Sequence, residues 1–566
     1  MINVKNIIRN NFIVLVLSGI IFIFILSDIV WLKHSSLDPH WDMGRHLWNS
    51  IYYFNILNQP NHIQNADYAW TSTYKYYPPF TYFVTSVFYK VFHSISIKVA
   101  IISNIFFVCV LVPFTYLLSR IFLSKKSSLI AVIFILTTPI VFTQLHEYML
   151  DVPSLAMFVP TLYFLLKSDH FNNRFNSIMF GLFFGLSMMT KWTFVLVIVG
   201  PLLWESYFVV RDIYYGVKSK NYKHIEDLLL NIFLSSIIIF AISYQWYISN
   251  YGALKHDLLF NAVSGKSNPL TPGIEWFLFY LLDIESIHLY LPYFLIFLSG
   301  LSYSIFYREL RKKMLFLFFS FVVSYLILTK INNKDTRYII PLIIYIGIFS
   351  AGIFEAIKGK IWNYVIISIF IFYALLQVYY VSFYSTTVHD YYINIMSRST
   401  IRFMKNYGYT SGAPVNVNYP VYNIVKYINN DFNKQLLNGN YVFFDTKNNI
   451  LQTYLTNYHA NFVYFVGDDE FSFNGWEITY YLSKLNSQLS LNNLDSTDKG
   501  GYLILHYANK NQSITFIHTL SPDYSILKTF IMPDGSTAFV IKLANNSNIK
   551  IGTCSKVMEK AYDCNI

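Results

Sequence analysis

The sequence predicts a polytopic α-helical membrane protein of about eleven transmembrane helices, followed by a C-terminal extracytoplasmic α/β domain. Three observations predict it. The chain of 566 residues is 54% hydrophobic and only 13% charged, with 51 Phe and 48 Tyr. Apolar runs near the length of a membrane span, about 20 residues for a hydrocarbon core of about 30 Å, recur from residue 12 to residue 383. Beyond residue 384 the character changes: polar, Asn-rich stretches alternate with short strand-like runs.

The first run, Phe12 to Trp31, follows Lys5 and Arg9. No small-residue cleavage site comes after it, so it reads as an uncleaved signal anchor. Ten further runs fall at 97–119, 128–145, 152–168, 176–189, 192–210, 227–248, 286–307, 314–330, 338–357 and 361–383. The net charge of +11 is a topology signal before it is a nucleic-acid signal, because Lys and Arg collect on cytoplasmic loops. One stretch decides the topology. "YPPFTYFVTSVFYKVFH" (77–93) is apolar but short and Tyr-rich, and is read as an amphipathic helix lying in the interface. The clusters Lys5/Arg9, Arg120/Lys125/Lys126, Lys167/Arg174, Arg211/Lys218/Lys220/Lys223, Arg308/Arg311/Lys312/Lys313 and Lys358/Lys360 then all face the cytoplasm. Residues 33–96, 146–151, the Thr190–Lys191 turn, 249–285 and 331–337 face outward, as does everything after 384. The expected division is a membrane domain, 1–383, with outer loop 33–96, and an outer domain, 384–566.

In the tail, "YVFFD" (441–445), "NFVYFVG" (461–467) and "GYLILHY" (501–507) read as strands. "YSILKTFIMPDGSTAFVIKL" (524–543) reads as a β-hairpin turning at Pro533–Asp534–Gly535. Helices are expected at 397–407 and 419–436. Of three cysteines, Cys109 lies in an apolar run; Cys554 and Cys564 either form a disulfide or stay as thiols.

The outward face concentrates the ionisable chemistry: Asp38, Asp42, Arg45, Lys75, His146, Glu147, Asp151, Lys191, His256, Lys266, Lys334, Asp335 and Arg337. Charge beside a bilayer is costly enough to mark function when several groups converge. Asp38 precedes Pro39 and reads as the N-cap of a short helix. Asp42 lies four residues further on, where no cap needs it. Asp151 opens a span beside Pro153, so capping competes with a functional role. Asp38, Asp42 and His46 sit at i, i+4 and i+8, a weak metal-ligand pattern because Pro39 limits the helix. Lys191 and Arg337 either snorkel toward headgroups or bind a lipid phosphate, which a guanidinium fork suits. Phosphate-binding loops of the G-x-x-x-x-G-K-[ST] type are absent from the sequence.

In order along the chain, these pieces resemble the GT-C membrane glycosyltransferases of the protein O-mannosyltransferase and lipid A aminoarabinose transferase superfamily. They are "DMGRHLW" with Asp42, "YYPPFTYFV", "EYMLDVPSLAMF" with Asp151, "GLFFGLSMMTKW", the "RYIIP" span start and the α/β tail. The resemblance implies transfer of a sugar from a polyprenyl-phosphate donor to a lipid, glycan or protein acceptor on the outer face of the plasma (inner) membrane, with inversion. Asp42 would take the acceptor proton. Asp151 would orient reacting groups, and Lys191, Lys266 and Arg337 would neutralise the departing phosphate. Asp38, Arg45 and His256 would line the substrate site. The aminoarabinose branch carries an acidic-basic pair before its Pro-Pro; here Tyr76 and Tyr77 stand there, and Lys75 is the nearest base. That departure leaves a divalent metal open as a cofactor and names none. A multi-pass transporter and a lipid-linked polysaccharide polymerase or ligase are the alternatives. The transporter is disfavoured because the charges gather at one face and the two halves share no pattern.

Overall fold

The computed structural model describes residues 4–36, 39, 42–58, 77–264, 273–357, 359–383, 392–396, 399–402, 419–437, 462–467, 475–485, 487, 489–492, 501–507, 513, 517, 524–543, 554–558 and 561–564. Two compact units emerge. The first comprises residues 1–35, 56–92 and 98–414, the second 36–55, 93–97 and 415–566. Residues 36–55 group with the second unit because the first turns of the helix Asp42–Leu57 pack on the helix Gly475–Lys484 there.

Among the described residues of the first unit, eight helices are long and apolar enough to cross a bilayer, and a ninth candidate is a bent pair. The other two expected spans are helices of 17 and 15 residues, Asp151–Lys167 and Arg174–Met188. Both fall short of a full span, so the count of eleven becomes eight or nine by length. The bent pair is Lys125–Thr137 with Pro139–Leu145, turned by 60°. Pro139 has no N–H to continue the ladder, and it drives Thr138 out of the helical region to φ −59°, ψ 126°. The helix Phe80–Val91 has 12 residues, about 18 Å of rise against a core of about 30 Å. It is too short to span, as an interfacial helix should be.

The core runs along Thr336–Glu355, whose apolar window is 83% buried, whereas the windows of the other long helices are half-buried at most. "IIYIGIFSAG" is apolar on every face, so this segment sits among helices rather than against lipid. Polar side chains lock the packing locally: Ser324 Oγ donates to the Val197 carbonyl at 2.8 Å, and Thr137 and Tyr293 share a 2.6 Å hydroxyl bond.

The second unit contains a seven-stranded mixed sheet. Strands are β1 (Tyr392–Met396) and β2 (Ser399–Arg402), a separate hairpin assigned to the first unit, then β3 (Phe462–Gly467), β4 (Ser490–Asn492), β5 (Tyr502–Tyr507), β6 (Tyr524–Ile531), β7 (Thr537–Leu543), β8 (Cys554–Met558) and β9 (Ala561–Cys564). The sheet order is β6-β7-β5-β3-β9-β8, with β4 also paired to β3. β3 runs parallel to β4, β5 and β9, and β6–β7 is the expected hairpin, with Gly535 at φ 84° in its turn. The expected helix at 419–436 is Val421–Leu437. The expected helix at 397–407 is wrong: Ser399–Arg402 is a strand paired antiparallel with Tyr392–Met396. Its Ser-Thr-Ile opening suits an extended pairing better than a helix. The expected strand 441–445 lies outside the described residues. Register places Cys554 opposite Cys564.

Candidate active site

Three turns of the first unit build a charged cluster. The first turn follows the bent helix pair. Asn104 fixes it by donating Nδ2 to the carbonyls of Leu145 and Glu147, at 3.1 and 2.9 Å. His146 stacks on Trp31 with ring centroids 4.3 Å apart, and its Nε2 lies 3.3 Å from Asp28 Oδ1. This turn delivers Asp151, which is 2% exposed. Leu150, not Asp151, is the helix N-cap, so the capping role weighed for Asp151 is not the one it plays. Its carboxylate faces a lysine instead.

That lysine comes from the second turn, Thr190–Lys191. Lys191 Nζ donates to Asp151 Oδ1 at 2.7 Å, and both side chains are over nine-tenths buried. The turn is held by its neighbours. The Phe80 N–H, at the start of the Pro-Pro-aromatic helix, donates to the Met189 carbonyl at 2.9 Å. Tyr247 Oη donates to the Met188 carbonyl, also at 2.9 Å. The sequence motif "YYPPF" thus has a structural partner in "MMTKW".

The third turn is the 3₁₀ segment Thr336–Leu342. Asp335 caps it, accepting the Arg337 N–H at 2.8 Å, and grips the same guanidinium from the side, with Nη2 to Oδ2 at 2.8 Å. Burial works to raise the Asp335 carboxyl, but the Arg337 guanidinium and the Lys191 ammonium outweigh it, and it stays below its ordinary value. Tyr338 lies under Lys191, 5.8 Å from ammonium to ring centroid. Thr336 is pinned from the other side: its hydroxyl donates to Asp283 Oδ2 at 2.8 Å, and its carbonyl faces His288 Nε2 at 2.9 Å. Lys334 is buried, donates to the Thr329 carbonyl at 2.6 Å and lies over Trp276 at 4.1 Å. Burial pushes its ammonium down to about 8.

The cluster is therefore Asp151–Lys191–Tyr338 beside Asp335–Arg337, two cations held at the edge of the bundle. The Arg337 guanidinium gives its Nε and Nη2 to Asp335, so a phosphate would share it with that carboxylate. Arg337→Ala should weaken use of a phosphate-bearing lipid more than Arg337→Lys, which keeps the charge and loses the fork. Equal full turnover of both variants would make Arg337 a headgroup anchor only.

Asp42 belongs to the second unit. It opens the helix Asp42–Leu57 and lies in its first turn, whereas Pro39 is outside any helix. The expectation that Asp38 caps a helix running through Asp42 is corrected accordingly. Asp42 lies in the first turn, where an acidic side chain complements the helix dipole. Arg45 lays its guanidinium over the Trp476 ring at 4.9 Å. His256 is exposed on the helix Tyr251–Ser264. Asp38, Lys75 and Lys266 lie outside the described residues. Asp335 and Tyr338 were not singled out as site residues from sequence. The D-T-R spacing was the available signal for Asp335, and Tyr338 offered none.

Among the described residues, no group of three or more His, Cys, Asp or Glu is placed to hold a metal ion. His46 is buried, and its expected co-ligand Asp38 is outside the described set. No step below runs through a metal.

Residues 77–240 match the family model described as dolichyl-phosphate-mannose-protein mannosyltransferase. The fold matches the crystal structure of ArnT from Cupriavidus metallidurans bound to undecaprenyl phosphate, with TM-score 0.53 and 12% identity, covering 94% of this chain and 98% of that one. The chain has the membrane fold seen in ArnT. The same protein in its apo state gives TM-score 0.52 at 12% identity, over 92% and 98% of the two chains. The archaeal oligosaccharyltransferase AglB from Archaeoglobus fulgidus gives 0.48 at 11%, over 95% and 76%. No curated protein matches by sequence. The resemblance read from the sequence is borne out, and the GT-C fold accounts for the order of the motifs: the Pro-Pro helix, the Asp151 turn and the Lys191 turn all fall within the matched segment.

Proposed function

We propose that this protein is an inverting glycosyltransferase that moves a sugar from a polyprenyl-phosphate donor to a lipid, glycan or protein hydroxyl on the outer face of the plasma membrane. The observation that carries the reading is a pair of cations, buried Lys191 and partly buried Arg337, each held on a carboxylate at a turn within a GT-C fold. Undecaprenyl phosphate bound to ArnT and dolichol phosphate in complex with AglB are the ligand class such cations suit.

The reaction needs three things from the chain. Asp42 accepts the proton of the acceptor hydroxyl as its oxygen forms the new bond to the anomeric carbon. The bond from that carbon to the phosphate oxygen breaks, and its electron pair leaves with the lipid phosphate. Lys191 and Arg337 stabilise the charge that accumulates there, preorganised by Asp151 and Asp335 so that no reorganisation is needed at the moment of reaction. Asp151 acts by orienting Lys191. Arg45, Asp38, Lys75, Lys266 and His256 complete the proposed substrate contacts.

Incubating purified protein with radiolabelled polyprenyl-phosphate sugars and a membrane extract tests this reading. Label should move to an acceptor; label that crosses vesicles unchanged would instead mark a transporter. The proposed topology has its own test. Pro60→Cys and Ile450→Cys should react with a membrane-impermeant thiol reagent in intact cells, and Arg311→Cys should not. Reaction at 311 with protection at 60 would reverse the topology.

A further inference from the structure

Within the second unit, the helix that carries Asp42 makes a close contact with the helix Gly475–Lys484. A Cβ on Gly44 would stand 3.0 Å from the Trp476 carbonyl carbon and 3.1 Å from the Glu477 nitrogen. Such a Cβ would be tighter than ordinary contact, and because the atoms opposite are mainly backbone the two helices would have to move apart to admit it. Around that point the Trp476 side chain fills the joint, with the Arg45 guanidinium 4.9 Å from its ring centroid and the Trp48 ring 6.1 Å away. Trp476 is 7% exposed.

Gly44, Arg45 and Trp48 share one face, since residues three and four apart are neighbours on a helix. Asp42 lies in the first turn, roughly a third of a turn from that face at 100° per residue, and is half-buried. The contact therefore bears on both the height and the rotation of the Asp42 helix. The short approach offers no sliding room, because the atoms opposite Gly44 are backbone and cannot swing away.

We propose that Trp476 is a positioning residue for Asp42, so that the helix Gly475–Lys484 sets where the general base stands within the second unit. This rests on the reading of Asp42 as the base. A base must come within hydrogen-bond reach of the proton it removes, and displacement of about 1 Å from a site outside the chemistry costs on the order of 10²-fold in rate. Trp476→Ala removes the side chain that fills the joint. Gly44→Ala forces the two backbones apart while leaving Trp476 in place.

The test measures transfer by the full-length protein in detergent, separating kcat from the KM for polyprenyl-phosphate sugar. Trp476→Ala and Gly44→Ala should each lower kcat about 10²-fold with little change in donor KM, and Trp476→Phe should recover most of the rate. The deciding measurement is the Asp42→Asn/Trp476→Ala double variant. If Trp476 acts through Asp42, the double should be no slower than Asp42→Asn alone, because coupled residues are non-additive. An added loss of similar size in the Asp42→Asn background, or a normal kcat in both Gly44→Ala and Trp476→Phe together with Trp476→Ala, overturns the positioning role. Full activity of Asp42→Asn instead overturns the assignment of the base, a separate failure. Should Trp476→Ala not fold, Gly44→Ala with and without Asp42→Asn separates the same outcomes.

Discussion

Asp42→Asn should slow sugar transfer by about 10²–10⁴-fold, the loss typical of a removed general base, while leaving donor binding intact. The substitution is nearly isosteric and Asn is as good as Asp at a helix start, so the helix Asp42–Leu57 should form as before. What disappears is the proton acceptor. The measurement is single-turnover transfer from a labelled donor, alongside binding of the same donor to the variant. Asp38→Asn in the same assay should be much milder, because nothing in the reaction requires a second carboxylate there. A reversed outcome, with Asp38→Asn inactive and Asp42→Asn normal, would move the base to Asp38. If neither substitution matters, the glycosyltransferase reading fails with them.

The membrane portion of the fold was legible because its signal is local: a run of apolar residues long enough to cross a bilayer needs no partner to be recognised. The short apolar runs 152–168 and 176–189 kept their lengths as the helices Asp151–Lys167 and Arg174–Met188, whereas the run 128–145 proved to be two helices bent by 60°. In the outer domain, β3, β5 and the β6–β7 hairpin were readable from β-rich runs and a Pro-Asp-Gly turn. Ser399–Arg402 was not, since its strand exists only by pairing with Tyr392–Met396, and a helix former such as Met or Lys nearby outweighed that unseen partner. The site divides in the same way. Asp42 and Asp151 stood out as charges beside apolar runs. That Asp151 meets Lys191 across 40 residues, or that Gly44 meets Trp476 from the far end of the chain, is a tertiary fact with no local trace.

Breaking the Asp151–Lys191 pair from one side should destabilise the membrane domain by about 3–5 kcal/mol, the range for a buried ion pair that loses one partner. The two side chains are only 3% and 9% exposed, and their atoms approach to 2.7 Å. Lys191→Met leaves the Asp151 carboxylate buried beside a thioether, and Asp151→Leu leaves the Lys191 ammonium facing a hydrocarbon. Each should lower the midpoint of thermal unfolding in detergent. The Asp151→Leu/Lys191→Met double variant should recover much of that loss, because an apolar pair of similar volume often replaces a buried ion pair at no net cost. Function should not recover with it. A neutral pair cannot stabilise a departing phosphate, so the double variant should remain folded yet slow in transfer. Stability equal to wild type in both single variants would mean the pair is hydrated and contributes nothing. Recovery of transfer in the folded double variant would remove Lys191 from the reaction. The expected combination, stability restored without turnover, is the signature of a charge kept in the bundle for its chemistry, with Asp151 there to hold it until a phosphate competes for the same ammonium.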